Sequence, residues 1–262
     1  MKQFERLENY CKQNNLIYNE EIRKKFSTYF DLLIETNKVM NLTAITDPEE
    51  VEIKHFIDSL EAGPYISECL FADRDRKSAA DQTDNIFPIA RIIDIGTGAG
   101  FPGLPLSFVF PDMEFVLADS LQKRITFLQN ITASLQSNNV LAIHSRAEDL
   151  GHGIYRGYFD ICVSRAVADT AVLSEYCLPL VKTGGKVILY KSGDIQEELK
   201  RAAYAIKVLG GVIEEVRSFH LPDTDIRRTL VIINKKKESP EKYPRKAGTP
   251  AKTPLLNPKN LK

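Results

Sequence analysis

Tryptophan is absent from the 262 residues, cysteine and histidine occur four times each, and neither charge prevails: 35 Lys and Arg stand against 35 Asp and Glu. Each scarcity excludes something. Cys11, Cys69, Cys162 and Cys177 lie far apart, with no C-x-x-C pair and no histidine at a zinc-ligand spacing. Neither a disulfide framework nor a metal site is expected. Nowhere do roughly 18 apolar residues follow one another. The start, Met1-Lys2-Gln3-Phe4-Glu5-Arg6, mixes charges before any apolar run. No membrane span and no leader are expected, and the chain reads as a cytoplasmic protein. A net charge of zero, taken alone, argues against a dedicated nucleic-acid binder.

The chain has 43% hydrophobic and 27% charged residues, which lets a protein of this length bury a sizeable core. The length suits one large α/β domain with an appendage. Ile22, Phe26, Tyr29, Phe30, Leu33, Asn37 and Met40 recur at spacings of three and four, the stripe of an amphipathic helix, with Asn19 as its N-cap. A break at Asn41-Leu42-Thr43 precedes a second helix opened by Pro48 and carrying Val51, His55 and Phe56. Residues 1–70 are therefore expected to form a small helical extension, and the polar stretch 71–89 an exposed loop.

From residue 91 the rhythm changes. Short apolar runs at 91–95, 114–118, 140–144, 159–164, 186–191, 212–216 and 229–234 alternate at first with helical stretches such as 121–135. Such alternation predicts an α/β domain over 90–234, with a mostly parallel sheet covered by helices on both faces. The last two runs have no crossover helix between them, so an antiparallel pair at one edge is expected.

The most informative segment is Ile92-Ile93-Asp94-Ile95-Gly96-Thr97-Gly98-Ala99-Gly100-Phe101-Pro102-Gly103, a strand entering a glycine turn and then a helix. Glycines permit positive φ and close approach of backbone amides to a ligand, so a nucleotide-like cofactor over this turn is indicated. Gly98 to Gly103 also satisfies G-x-G-x-x-G, which keeps a dinucleotide-dependent oxidoreductase open. Asp94 weighs against that reading, because a carboxylate just ahead of the glycines would repel a pyrophosphate and suits a cationic amino group such as that of S-adenosylmethionine. Asp119, 25 residues on, stands where an acid bonds ribose hydroxyls in either cofactor. Ala147 and Glu148 follow the third strand, toward the adenine end. Three acids at successive strand ends favour S-adenosylmethionine.

Asn41-Leu42-Thr43, His55-Phe56-Ile57-Asp58-Ser59-Leu60, the run from Asp94 to Pro105, Asp119-Ser120-Leu121-Gln122-Lys123-Arg124, Arg146-Ala147-Glu148, Ser164-Arg165-Ala166 and residues 243–250 together resemble the bacterial RsmG (GidB) family of ribosomal RNA guanine-N7 methyltransferases. The resemblance spans nearly the whole chain in order. It implies a Class I, Rossmann-like methyltransferase domain with a seven-stranded sheet, and cofactor contacts at Gly96, Phe101, Asp119, Ala147, Glu148 and Arg165. It also implies a guanine of 16S small-subunit ribosomal RNA as substrate. A protein that keeps this fold without activity, binding the ribosome only, is the other alternative.

Guanine N7 offers an in-plane lone pair at neutral pH, so methyl transfer to it requires positioning and no general base. Arg165, Lys191 and Arg228 lie at or beside strand ends, where open α/β sheets place ligands, and are candidates to hold the base or a phosphate. His55 and Asp58, three apart on one helical face, are expected to form a structural pair, with catalysis by His55 the lesser reading.

The first 234 residues carry 26 Lys and Arg against 33 Asp and Glu, and the last 28 carry nine against two. Neutrality is thus a cancellation. The tail, with five prolines, reads as an extended segment lacking a core, suited to lie along RNA through Lys235, Lys236, Lys237, Tyr243, Arg245 and Lys246. Its removal after residue 236 is expected to weaken RNA binding and leave cofactor affinity nearly intact. A monomer is expected.

Overall fold

The structure is a computed structural model describing residues 2–69, 90–165 and 167–257. The expected loop at 71–89 lies outside the described residues. The N-terminal helices are α1 (Glu5–Gln13) and α2 (Glu20–Met40). After them come α3 (Pro48–Val51), a π-helical stretch (Glu52–Ile57), α4 (Asp58–Leu60) and α5 at 63–69. The Asn19 side chain accepts the Ile22 amide at the start of α2, and Asn41 closes it in the left-handed region at φ 48°. The Asp47 carboxylate accepts the amides of Glu49 and Glu50, and Pro48 occupies the first turn.

Among the described residues seven strands follow, β1 (Arg91–Ile95), β2 (Glu114–Asp119), β3 (Val140–His144), β4 (Phe159–Arg165), β5 (Val181–Ser192), β6 (Gly211–His220) and β7 (Arg227–Lys235), in the spatial order β3-β2-β1-β4-β5-β7-β6. The first five run parallel. β7 inserts antiparallel between β5 and β6. The expected antiparallel edge is there. β5 starts five residues earlier than the apolar run at 186 predicts, because Val181 pairs with Phe159 ahead of a bulge that the polar residues 182–185 conceal in the sequence. Connecting helices are α6 (Gly103–Val109), α7 (Gln122–Ser134), α8 (Ala147–Leu150), α9 (Thr170–Cys177) and α10 (Gln196–Val208), and a last turn, α11 (Thr249–Lys252), lies in the tail.

The helical extension is not a separate unit. Phe26, Tyr29 and Phe56 pack with Phe101 and Phe108, and this cluster continues onto Ile92, Phe115, Leu117 and Tyr190 of the sheet. The N-terminal helices thus share with α6 and α7 the layer over one sheet face, whereas α9 and α10 cover the other. The buried stripe of α2 exists to be covered by this face, since an isolated helix would leave it in water.

The tail also departs from expectation. It folds back as a strap along the α8–α9 side: Tyr243 and Pro250 are buried, Leu255 packs on the second core cluster, and Arg156 donates to the carbonyls of Ser239, Pro240, Tyr243 and Gly151. A chain with few apolar residues can still be fixed when a neighbouring side chain satisfies several of its carbonyls at once.

Candidate active site

The carboxyl ends of β1, β2 and β4 meet around the glycine turn. Gly96, Gly98 and Gly100 have φ of 70°, 62° and 112°, conformations that a side chain resists. At Gly100 space is also exhausted: a Cβ would stand 2.9 Å from the Tyr29 hydroxyl and 3.0 Å from Leu128. Tyr29 donates its hydroxyl to the Ala99 carbonyl at 2.7 Å, so α2 reaches over the turn and fixes it. At Gly98, by contrast, an added Cβ would meet only the Gly96 carbonyl at 4.0 Å, and this lip of the turn is open.

Asp119 lies beside that lip. Its Oδ2 accepts the Gly98 amide at 3.0 Å and the Arg124 guanidinium at 3.1 Å, while Oδ1 accepts the Leu121 amide at 2.9 Å. Glu148, on α8 after β3, is nearly buried and its Oε1 accepts the Gly248 amide of the strap at 2.8 Å. The backbone links these ends, since the Ser145 amide donates to the Asp119 carbonyl at 3.2 Å.

Asp94 corrects the sequence reading. It was expected to face a ligand's amino group, but the side chain is wholly buried behind the turn, where Oδ2 accepts the Gly103 amide at 2.9 Å. Gly103 permits this closeness, because a Cβ there would lie 2.9 Å from the carboxylate. Burial pushes the Asp94 pKa up to about 6, against the pull of the Thr97 hydroxyl and the Gly103 amide.

The helical layer delivers a second cluster to the same edge. Asp58, nearly buried at the end of the π-helical stretch, holds Arg165 through Oδ2 at 3.0 Å and Arg228 through Oδ1 at 3.2 Å. One carboxylate therefore aligns guanidinium groups from β4 and β7 and leaves a net positive charge. His55 and Asp58 do not pair with each other, because Arg165 stands between them, its Nη2 3.5 Å from His55 Nδ1. His55 stacks on Phe101 at 4.5 Å, and its Nε2 lies 2.7 Å from the Thr43 hydroxyl. Arg165 stands 5.0 Å from the Phe101 ring centre. Burial, with the Arg165 charge adding to it, lowers the His55 pKa to about 3. The imidazole is thus neutral and occupied, with Arg165 donating to Nδ1 and Nε2–H donating to Thr43 in the matching tautomer. The polar member of the α2 stripe, Asn37, completes the arrangement by bonding both the amide and the carbonyl of Thr43.

A family model described as GidB, rRNA small subunit methyltransferase G, matches residues 22–230. The chain belongs to the GidB family. Proteins named Ribosomal RNA small subunit methyltransferase G from Staphylococcus aureus strains Newman and JH9 are each 45% identical over 245 residues, 94% of this chain and 95% of theirs. Among solved structures, Aeropyrum pernix fibrillarin with natively bound S-adenosyl-L-methionine is similar at 15% identity and a TM-score of 0.44, over 55% of this chain and 66% of that one.

In this GidB-family chain the remaining predicted residues fall in two groups. Lys191 turns to Glu198 at 2.5 Å and to the Ala168 carbonyl at 2.9 Å, bracing the loop after β4 instead of joining Arg165 and Arg228. Lys235 points inward: its ammonium donates to the Leu178 carbonyl, and burial lowers its pKa to about 8. Tyr243 is buried, and Arg245 is bidentate on Glu175, a carboxylate with no exposure. These residues hold the strap, so reading them as RNA contacts is corrected; Lys236, Lys237 and Lys246 remain exposed. Sequence reasoning missed Tyr29, Arg124, Arg156 and Glu175. Arg124 carried a signal, lying five residues after Asp119, whereas the others act on partners 70 or more residues away. Among the described residues no group of three or more His, Cys, Asp or Glu could hold a metal, and no helix is long and apolar enough to cross a membrane.

Proposed function

We propose that the protein transfers the methyl group of S-adenosylmethionine to N7 of a guanine in 16S ribosomal RNA of the small subunit, in the cytoplasm. The observation that carries this reading is the meeting of an open glycine lip and the Asp119 carboxylate with a pair of guanidinium groups held by Asp58. The residues present fit the cofactor. Gly96, Gly98 and Phe101 would hold it at the turn, Asp119 at the ribose, Ala147 and Glu148 at the adenine, with Arg165 beside Phe101. Asp94 and Gly100 shape the turn from behind.

Bound there, the cofactor supplies a methyl group activated by a sulfonium. The protein's own residues do the rest by positioning. N7 needs no proton removed before it attacks, and His55, neutral and bonded at both nitrogens, is not disposed to take one. Arg165 and Arg228 suit guanine O6 or a phosphate, because a donor on N7 itself would occupy the attacking lone pair. Their shared carboxylate fixes them before substrate arrives, which lowers the reorganisation needed at the transition state. Lys236, Lys237 and Lys246 provide positive charge for the RNA backbone on an otherwise acidic protein.

The test is incubation with S-adenosylmethionine and unmethylated small-subunit particles, then mass mapping of the nucleosides. N7-methylguanosine at one site is expected. Methyl on cytosine, on guanine N2 or on protein refutes the assignment.

A further inference from the structure

The strap does more than end the chain. From Ser239 to Thr253 it is fastened at successive points: Arg156 on the carbonyls of Ser239, Pro240 and Tyr243, His152 Nε2 2.6 Å from the Pro244 carbonyl, and Glu175 accepting both the Arg245 amide at 2.7 Å and its guanidinium. Arg245 in turn donates to the Thr253 carbonyl at 2.8 Å, closing a loop over residues 246–252. That loop is delivered to Glu148, where the Gly248 amide donates to Oε1. Gly151, after α8, allows the contact, since a Cβ there would lie 2.7 Å from Pro244. Gly248 itself has φ 82°, and an added Cβ would meet nothing within 4 Å, so this turn presents an open face beside Glu148.

From these contacts we infer that the strap forms the outer wall of the adenosine subsite. The Lys246–Thr249 turn, with the Gly248 amide, orients Glu148, and the loop closes the subsite on the side opposite the glycine turn. The inference rests on the proposed placement of adenine at Glu148. A wall fixed in advance by Arg156 and Glu175 spares the adenosyl group the ordering of its own pocket, so losing the wall weakens binding without altering the turn. Lys246 and Lys252 on the strap are both exposed.

Two variants test it. The double variant Arg245→Gln with Glu175→Gln removes the ion pair that fastens the loop without leaving an unpaired buried charge, and a chain ending at Glu238 removes the strap entirely. Calorimetric titration with S-adenosylhomocysteine and with adenosine is expected to give about tenfold weaker binding of each in the double variant. In the unaltered protein, S-adenosylhomocysteine is expected to slow amide exchange at residues 246–250 and tryptic cleavage after Lys246. Unchanged affinity in both strap variants, or no protection of the loop by the ligand, overturns the inference. Glu148→Ala and Asp119→Ala separate it from the reading beneath it. If these leave binding unchanged, the placement of adenine fails and the wall with it; if they lose binding while the strap variants keep it, the wall alone fails.

Discussion

Asp94 gives the sharpest test of how the turn is held. Its carboxyl is wholly buried, and burial raises its pKa to about 6. In the unfolded chain an aspartate titrates near about 3.9. The folded value is the higher, so the stability this group contributes is complete below about pH 4 and lost as pH rises through about 6. Between pH 8 and pH 5 the carboxyl regains about 1.4 kcal/mol of that stability. Asp94→Asn keeps an acceptor for Gly103 and removes the titration. The variant is therefore expected to be more stable than the unaltered protein at pH 8, with an advantage that shrinks by about 1.4 kcal/mol at pH 5. For a chain of this size that is a relative change in Tm of roughly 3–6 °C. Urea unfolding and thermal scans at both pH values measure it. A variant less stable by the same amount at both pH values refutes the buried-charge argument. Binding of S-adenosylhomocysteine supplies a second readout. Enclosed as it is, Asp94 should matter little to affinity, and a hundredfold loss in the variant would mean that the carboxylate meets the ligand directly.

Asp58→Ala leaves the Arg165 and Arg228 guanidinium groups side by side without their carboxylate; a loss of about 2 kcal/mol or more in stability and of methyl transfer is expected, with S-adenosylhomocysteine affinity changed severalfold at most, measured by denaturation, single-turnover transfer and calorimetry. Tyr29→Phe strands the buried Ala99 carbonyl and should cost about 1–2 kcal/mol in urea unfolding, with the glycine turn exchanging its amides faster. Gly100→Ala meets both a forbidden φ and Tyr29, and a loss of about 1–3 kcal/mol with weakened cofactor binding is expected from the same assays. Replacing Lys236 and Lys237 together by Ala should lower the slope of log affinity for RNA against log salt by about 1–2 and leave S-adenosylhomocysteine binding alone; an unchanged slope places the RNA elsewhere.

Much of this architecture is legible locally. The α2 stripe, the Asn19 cap, Pro48 in a first helical turn and the apolar runs of the strands each depend on residues a few positions apart, and periodicity reports such short-range physics directly. The glycine turn is legible for the same reason. Asp94 was misread because sequence gives its position at a strand end but not that Gly103 returns to cover it nine residues later. The tail was misread more broadly. Proline, lysine and the lack of an apolar stripe describe a segment without a core of its own, and they carry no information about Arg156, Glu175 and Glu148, which reach it from 70 to 100 residues away.

By itself, then, the sequence determined most of the helices and strands, where the glycines must turn, and that positive charge gathers after residue 234. Tertiary structure decided which charges face outward. Lys235 and Arg245 turn inward to a carbonyl and a carboxylate, whereas Lys236, Lys237 and Lys246 stay in water. It also decided that Asp58, from the N-terminal helices, would align arginines from β4 and β7. The physical reason is common to both. A buried charge is tolerated only where a partner from another element meets it, and only the packing of those elements determines which partner that is.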